Sequence, residues 1–104
     1  MPKIFTYGSL LDDSLRERVL GRNVEGKETV LEGYEKIPHS HFYIYPTIKK
    51  NINKSVSGKI FDVGALDLQR LDTYETKLYK KIPIKVSTGE DALAYIETPS
   101  VDLI

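Results

Sequence analysis

Apolar residues recur along this chain in two rhythms, one of two residues and one of three to four, and the switches between them place its elements. Lys3 to Tyr7 is a short strand-like run that ends at Gly8. Leu11, Leu15 and Val19 then repeat at four-residue spacing, which predicts a helix over Leu11–Leu20. Asp12, Asp13 and Ser14 offer N-caps, Ser14 and Glu17 have capping-box spacing, and Gly21 is placed to stop the helix. Glu28 to Tyr34 and Phe42 to Tyr45 read as strands, the second ending at Pro46, and Lys49 to Lys54 reads as an exposed loop. Ser55 to Val63 is a further strand, and Gly58 within it marks a place where backbone passes close. Leu66 to Glu75 reads as the second helix.

Ile82, Ile84 and Val86 alternate with Lys81, Pro83 and Lys85, the period of a half-buried strand. Pro83 cannot donate to a ladder, so this strand belongs at an edge or a bulge. Gly89-Glu90-Asp91 is turn chemistry, and Ala92 to Glu97 is the last strand before Pro99. Strand, helix, three strands, helix, two strands is neither a doubly wound alternation nor a helical bundle. It predicts one α+β domain over 1–104, a small mixed sheet curled toward a barrel with two flanking helices.

Composition narrows the partners. Fifteen lysines and arginines balance fifteen aspartates and glutamates, so no net field draws the chain to nucleic acid or an anionic membrane. There is no cysteine, which removes disulfides, thiolate nucleophiles and cysteine-bound zinc together. With no signal-like start and no long apolar run, the expected setting is the cytoplasm. The 40% apolar and 29% charged content is that of an ordinary globular chain able to bury its own core.

Three features could carry chemistry. Tyr7-Gly8-Ser9-Leu10 lies at a strand-to-helix turn, where amides and a helix N-terminus suit a carboxylate or oxyanion. A plain turn before a helix would read the same way. In Leu68-Gln69-Arg70-Leu71-Asp72-Thr73-Tyr74-Glu75, helical spacing projects Glu75 between Leu68 and Leu71, on the apolar stripe, with Asp72 nearer its rim. A carboxylate there has its pKa raised by burial and can serve as a general base near neutral pH. If the helix instead ends near Thr73, Glu75 points into water. Tyr7, Tyr45, Tyr79 and Tyr95 sit in or beside strands, where a ring packs inward and a hydroxyl reaches a pocket. His39 and His41 share one face of an extended segment but lack a third ligand, so no metal site is expected. Ser9 as a nucleophile with His39 or His41 as base is a third arrangement, without the elbow motif that usually surrounds such a serine.

Together these pieces resemble one family. Tyr7-Gly8-Ser9-Leu10 after a first strand is similar to the Y-G-S/T-L signature of gamma-glutamylcyclotransferase-like (AIG2-like, gamma-glutamylamine cyclotransferase-like) proteins. Gly33-Tyr34, Tyr45-Pro46-Thr47-Ile48 and Val56-Ser57-Gly58-Lys59-Ile60-Phe61 resemble the G-Y, Y-P-A-I and V-x-G-x-L/V-Y/F stretches that follow. Leu71-Asp72-Thr73-Tyr74-Glu75, with Tyr79 beyond it, is similar to L-D-x-Y/F-E-G-x-x-Y, and Ala92-Leu93-Ala94-Tyr95 falls where A-W-x-Y is usual. Thr76 stands in place of the glycine and Leu93 in place of the tryptophan.

The resemblance implies a compact mixed barrel, a pocket floored by Tyr7, Gly8, Ser9 and Leu10, and Glu75 as catalytic acid/base; by their positions four residues past Glu75 and on a late strand, Tyr79 and Tyr95 are expected to line that pocket. It further implies cyclisation of a gamma-glutamyl amine or peptide to 5-oxoproline with release of the amine, without metal or organic cofactor. A monomer or homodimer acting on a small molecule is the expected form. A non-catalytic module that binds a small carboxylate metabolite is the alternative.

Overall fold

The computed structural model describes residues 2–38 and 45–99. Its strands are β1 (Lys3–Thr6), β2 (Lys27–Ile37), β3 (Thr47–Asp62), β4 (Tyr79–Lys85) and β5 (Asp91–Glu97). A 3-10 turn at Ser9–Leu11 leads into helix α1 (Asp13–Leu20), and helix α2 (Ala65–Glu75) joins β3 to β4. The five strands form one sheet in the order β2-β3-β1-β5-β4, and β1 and β5 are its parallel pair. Beyond β4, the Ser87 N–H donates to the Val30 carbonyl in β2 at 2.8 Å, so the two edges curl toward each other. This is the mixed, barrel-like α+β sheet with two helices that the element order predicts.

β1 is covered on both sides. Phe5 and Tyr7 face inward with Leu31, Ile48, Val56, Ile60 and Ala94, and their rings stack with centroids 6.2 Å apart. Ile4 faces the helices with Leu10, Leu20, Phe61, Leu71 and Tyr95. The close approach marked by Gly58 is here: a Cβ on it would lie 2.2 Å from the Thr6 carbonyl oxygen. Only glycine lets β1 and β3 come that near. Pro83 lies on β4, the outer strand, where its missing N–H breaks no internal ladder.

Four expectations need correction. Lys49 and Lys50 are not loop residues: they pair with Glu35 and Tyr34 in the long β2–β3 hairpin. The register then jumps at Gly33, which has φ +82°, so Asn51–Lys54 bulge from the ladder between the pairs Tyr34–Lys50 and Glu32–Ser55. Their polarity reflects exposure beyond the core rather than a loop. The cap of α1 is Asp12, whose carboxylate accepts from the Leu15 N–H at 3.0 Å; Ser14 lies inside the helix and makes no capping box. The buried stripe of α1 is Arg16 and Leu20, while Leu15 and Val19 are only half buried. Tyr45 lies outside any strand, and Phe42–Ile44 of that expected strand fall outside the described residues.

Arg16 is 2% exposed, and sequence polarity alone would leave it in water. Its guanidinium donates to the Leu10 carbonyl at 3.0 Å, the Val24 carbonyl at 2.9 Å and Asp13 at 2.6 Å. It also lies 5.6 Å from the centre of the Phe61 ring. All five N–H directions of an arginine need acceptors when buried, and the fork geometry lets one side chain brace several loops. Arg16 thus fixes the turn between β1 and α1 from beneath. At the far end of α1, Arg22 grips Asp67 through two bonds of 3.1 and 2.6 Å, and Asp67 accepts from the Gly64 N–H at the start of α2.

Candidate active site

A cavity of about 240 Å³ opens where the turn after β1, the end of α2 and the start of β4 meet. Tyr7, Gly8, Ser9, Leu10, Tyr45, Glu75, Tyr79 and Tyr95 all line it, whereas Asp72 does not. The 3-10 turn uses the Leu11 and Asp12 N–H groups on the Gly8 and Ser9 carbonyls, at 3.0 and 3.2 Å. The N–H groups of Gly8, Ser9 and Leu10 have no acceptor among the described residues, as is usual at a helical start. They are the donors an anion would need. The conformation of Gly8 is not left-handed (φ −133°), and a Cβ there would lie 3.1 Å from Pro46 Cγ, so the proline ring would have to give by a few tenths of an ångström.

Glu75 is the last residue of α2, so the helix does reach it and turns its side chain into the cavity. Among the described residues its carboxylate has neither a hydrogen bond nor an ion pair. Desolvation raises its pKa from 4.5 to about 7, poising it between acid and base. Thr76 follows with φ 63° and ψ −173°, backbone space that glycine enters readily and threonine does not. Its N–H donates to the Asp72 carbonyl at 2.9 Å and its Oγ1 accepts from the Leu78 N–H at 3.2 Å. Those two bonds hold a conformation costing on the order of 1–3 kcal/mol directly beside Glu75.

The tyrosines differ in what their hydroxyls do. Tyr7 is buried and donates to the Tyr95 carbonyl; burial, opposed by a hydrogen bond with Thr47 and reinforced by the nearby Glu75 carboxylate, pushes its phenol well above the ordinary value. Tyr95 donates to Asp72 Oδ1 at 2.6 Å, and burial together with the Asp72 and Glu75 charges raises its phenol as well. Tyr79 donates to the Pro46 carbonyl at 3.4 Å. Both Tyr7 and Tyr95 are therefore locked as neutral donors.

Three further residues take part in the contacts of the site. Asp72 is at the rim as helical spacing predicts, but it is more than a bystander. Against the upward push of desolvation, hydrogen bonds from Tyr95 and Lys81 hold its carboxyl below the ordinary value. Tyr74 meets Ser9 across the cavity mouth, oxygen to oxygen at 2.9 Å. Pro46 closes the wall behind Gly8. Ser9 thus faces a tyrosine hydroxyl; His39 and His41 lie outside the described residues. Among the described residues no three histidine, cysteine or carboxylate side chains cluster as a metal site, and no helix is long and apolar enough to cross a membrane.

The fold is a curled α+β sheet whose cavity holds one desolvated carboxylate and the turn after β1. The chain belongs to the gamma-glutamyl cyclotransferase, AIG2-like family, whose sequence profile matches residues 4–102. No curated protein matches it. Among solved structures it is similar to an Arabidopsis thaliana protein known in solution (24% identity, TM-score 0.80), covering 92% of this chain and 61% of that one. It is similar to a gamma-glutamyl cyclotransferase at 19% identity and TM-score 0.75, covering 92% of this chain and 66% of that one. A Pyrococcus horikoshii protein matches at 17% identity and TM-score 0.69, over 93% and 78% of the two chains. At these identities the likeness is one of fold, and the chain spans about two thirds of the length of the first two relatives.

Proposed function

We propose that the protein is a cyclotransferase that converts a gamma-glutamyl amine or peptide to 5-oxoproline and free amine, with Glu75 as general acid/base. The observation that carries this reading is the unpartnered Glu75 carboxylate, pKa about 7, inside the cavity bounded by the Gly8–Leu10 amides. The substrate's α-carboxylate binds those amides, which places its α-nitrogen near Glu75. Once the ammonium has lost a proton, the amine attacks the side-chain carbonyl carbon. A carbon–nitrogen bond forms to close the five-membered ring, and the bond to the leaving nitrogen breaks. Glu75 takes a proton from the attacking nitrogen and delivers one to the leaving nitrogen. Across the whole reaction two protons leave one nitrogen and two reach the other, and water is not consumed.

The test is 5-oxoproline release from a panel of gamma-glutamyl compounds, followed across pH. Because the base must be ionised, kcat/KM should climb as pH rises and level off above an inflection near 7. Binding of these compounds without 5-oxoproline would support the module that holds a carboxylate metabolite instead.

Asp72 supplies a second prediction. By accepting from Tyr95 it orients that hydroxyl beside Glu75. Tyr95→Phe should lower kcat/KM by about 0.5–1.5 kcal/mol, the worth of one hydrogen bond. Asp72→Asn should reproduce part of that loss, and the double variant should be no worse than Tyr95→Phe alone, the non-additivity of one shared contact. Additive losses in a double-mutant cycle would remove Asp72 as a positioning residue.

A further inference from the structure

Resting on the cyclotransferase reading, we propose that Thr76 is a positioning residue for Glu75: its hydroxyl holds the chain reversal after α2, and that reversal keeps the Glu75 carboxylate in the cavity. A side chain is aimed either by its own polar contacts or by the backbone that carries it. Among the described residues the Glu75 carboxylate has neither a hydrogen bond nor an ion pair, so its aim falls to the backbone. On one side that backbone is α2, which Glu75 ends, and on the other it is Thr76.

Thr76 is the one residue other than glycine with positive φ among the described residues. Its pairing of φ 63° with ψ −173° is nearly reserved for glycine, and a β-branched residue enters it only where the surroundings impose it. Here they do. The Thr76 N–H donates to the Asp72 carbonyl at 2.9 Å, and the Thr76 carbonyl accepts from the Tyr79 N–H at 3.4 Å. Thr98, just past β5, holds the two residues between: its Oγ1 donates to the Lys77 carbonyl at 2.9 Å and its N–H to the Leu78 carbonyl at 2.8 Å. Of the bonds around the reversal, the Thr76 side chain supplies one, accepting from the Leu78 N–H through Oγ1 at 3.2 Å. A glycine would enter these dihedrals without strain but could not supply that acceptor. Strain beside a carboxylate that lacks any partner of its own is the pattern of a group preorganised for chemistry.

Substitutions at Thr76 separate aim from stability. Thr76→Gly removes the strain together with the hydroxyl, so it should melt at or above the wild-type temperature. It should still lose about 10–100-fold in kcat with KM little changed, the scale on which a small misplacement of a reacting group is felt. Thr76→Ala, which keeps the Cβ, should lose kcat likewise, so the loss does not depend on the freedom of glycine. Thr76→Ser keeps the hydroxyl and should keep most of kcat. A merely structural role would make activity follow stability, with Thr76→Gly the most active of the three.

A loosened carboxylate regains water, so the inflection in kcat/KM should fall from near 7 toward 4.5 in the two variants without a hydroxyl. Glu75 is the one carboxyl among the described residues of the cavity wall, the other ionisable groups there being the phenols of Tyr7, Tyr45, Tyr74, Tyr79 and Tyr95. Asp72 lies behind Tyr95 and is paired with Lys81. Wild-type kcat or an unmoved inflection in either hydroxyl-free variant overturns the proposal while leaving cyclisation intact, and so does a Thr76→Ser enzyme as slow as Thr76→Gly. If the wild-type chain releases no 5-oxoproline from any gamma-glutamyl compound, the cyclotransferase reading fails, and the Glu75 carboxyl is titrated directly by carbon-13 NMR. Its signal is the one lost in Glu75→Gln. A lower midpoint in Thr76→Gly than in wild type and Thr76→Ser upholds the positioning role, and equal midpoints refute it.

Discussion

Replacing Glu75 by glutamine should abolish turnover while making the protein more stable above neutral pH. The amide keeps the shape of the carboxylate, so KM should change little. It cannot accept a proton, and loss of a general base removes roughly 10²–10⁴ in rate, read in kcat. The stability gain has a definite pH signature. Burial raises the Glu75 pKa from 4.5 to about 7, so the folded chain holds this proton where the unfolded chain has lost it. The charge therefore costs nothing below pH 4.5, an increasing amount between 4.5 and 7, and its full amount above 7. At 1.36 kcal/mol per pH unit, less some screening by water at the cavity mouth, that amount is about 1–3 kcal/mol. Thermal melts of the two proteins should coincide at pH 4 and separate through neutrality, with Glu75→Gln the higher. An active Glu75→Gln enzyme would end the mechanism, and a variant less stable than wild type at pH 8 would contradict the desolvated site.

Arg16→Met should be among the most destabilising single changes in the chain. Methionine fills much of the same volume but cannot satisfy the Leu10 and Val24 carbonyls that Arg16 serves. Each buried acceptor left without a donor costs about 1–3 kcal/mol, so a total of roughly 2–5 kcal/mol is expected. In a domain of this size that is on the order of 10–20 °C or more in Tm. Because the Leu10 carbonyl belongs to the proposed anion-binding turn, the folded fraction should also bind substrate more weakly. Urea unfolding gives the first effect and KM measured well below the melting range gives the second. A loss under about 1 kcal/mol would mean the two carbonyls find other donors, and the bracing role assigned to Arg16 would be wrong.

These two residues also mark what a single sequence discloses. Glu75 was half legible: helical spacing placed it between Leu68 and Leu71, but only if the helix ran past Thr73, which the structure shows it does. Gly58 and Pro83 were legible because each has one physical property that few environments require. Arg16 was not, since periodicity put Leu15 and Val19 on the inner face; its spacing of four from Leu20 was the available signal. The Tyr95–Asp72 and Ser9–Tyr74 contacts join residues far apart in the chain, and no local pattern encodes them. Asn51–Lys54 kept a loop's composition within β3 because they bulge out of the ladder toward solvent.

The central place of β1 has a consequence for the order in which the molecule folds. The hairpins β2–β3 and β4–β5 pair segments close in sequence, whereas β1 pairs Lys3 with Asp62 and Ile4 with Leu93. Local hairpins close early and long loops close late, so the first strand should dock after its partners exist. The amide turn follows directly from that strand, Glu75 ends α2, and Tyr95 comes from β5. No fragment short of the whole sheet holds all three. Ligand affinity and slow amide exchange in β1 should therefore emerge together during refolding, in the same final cooperative step.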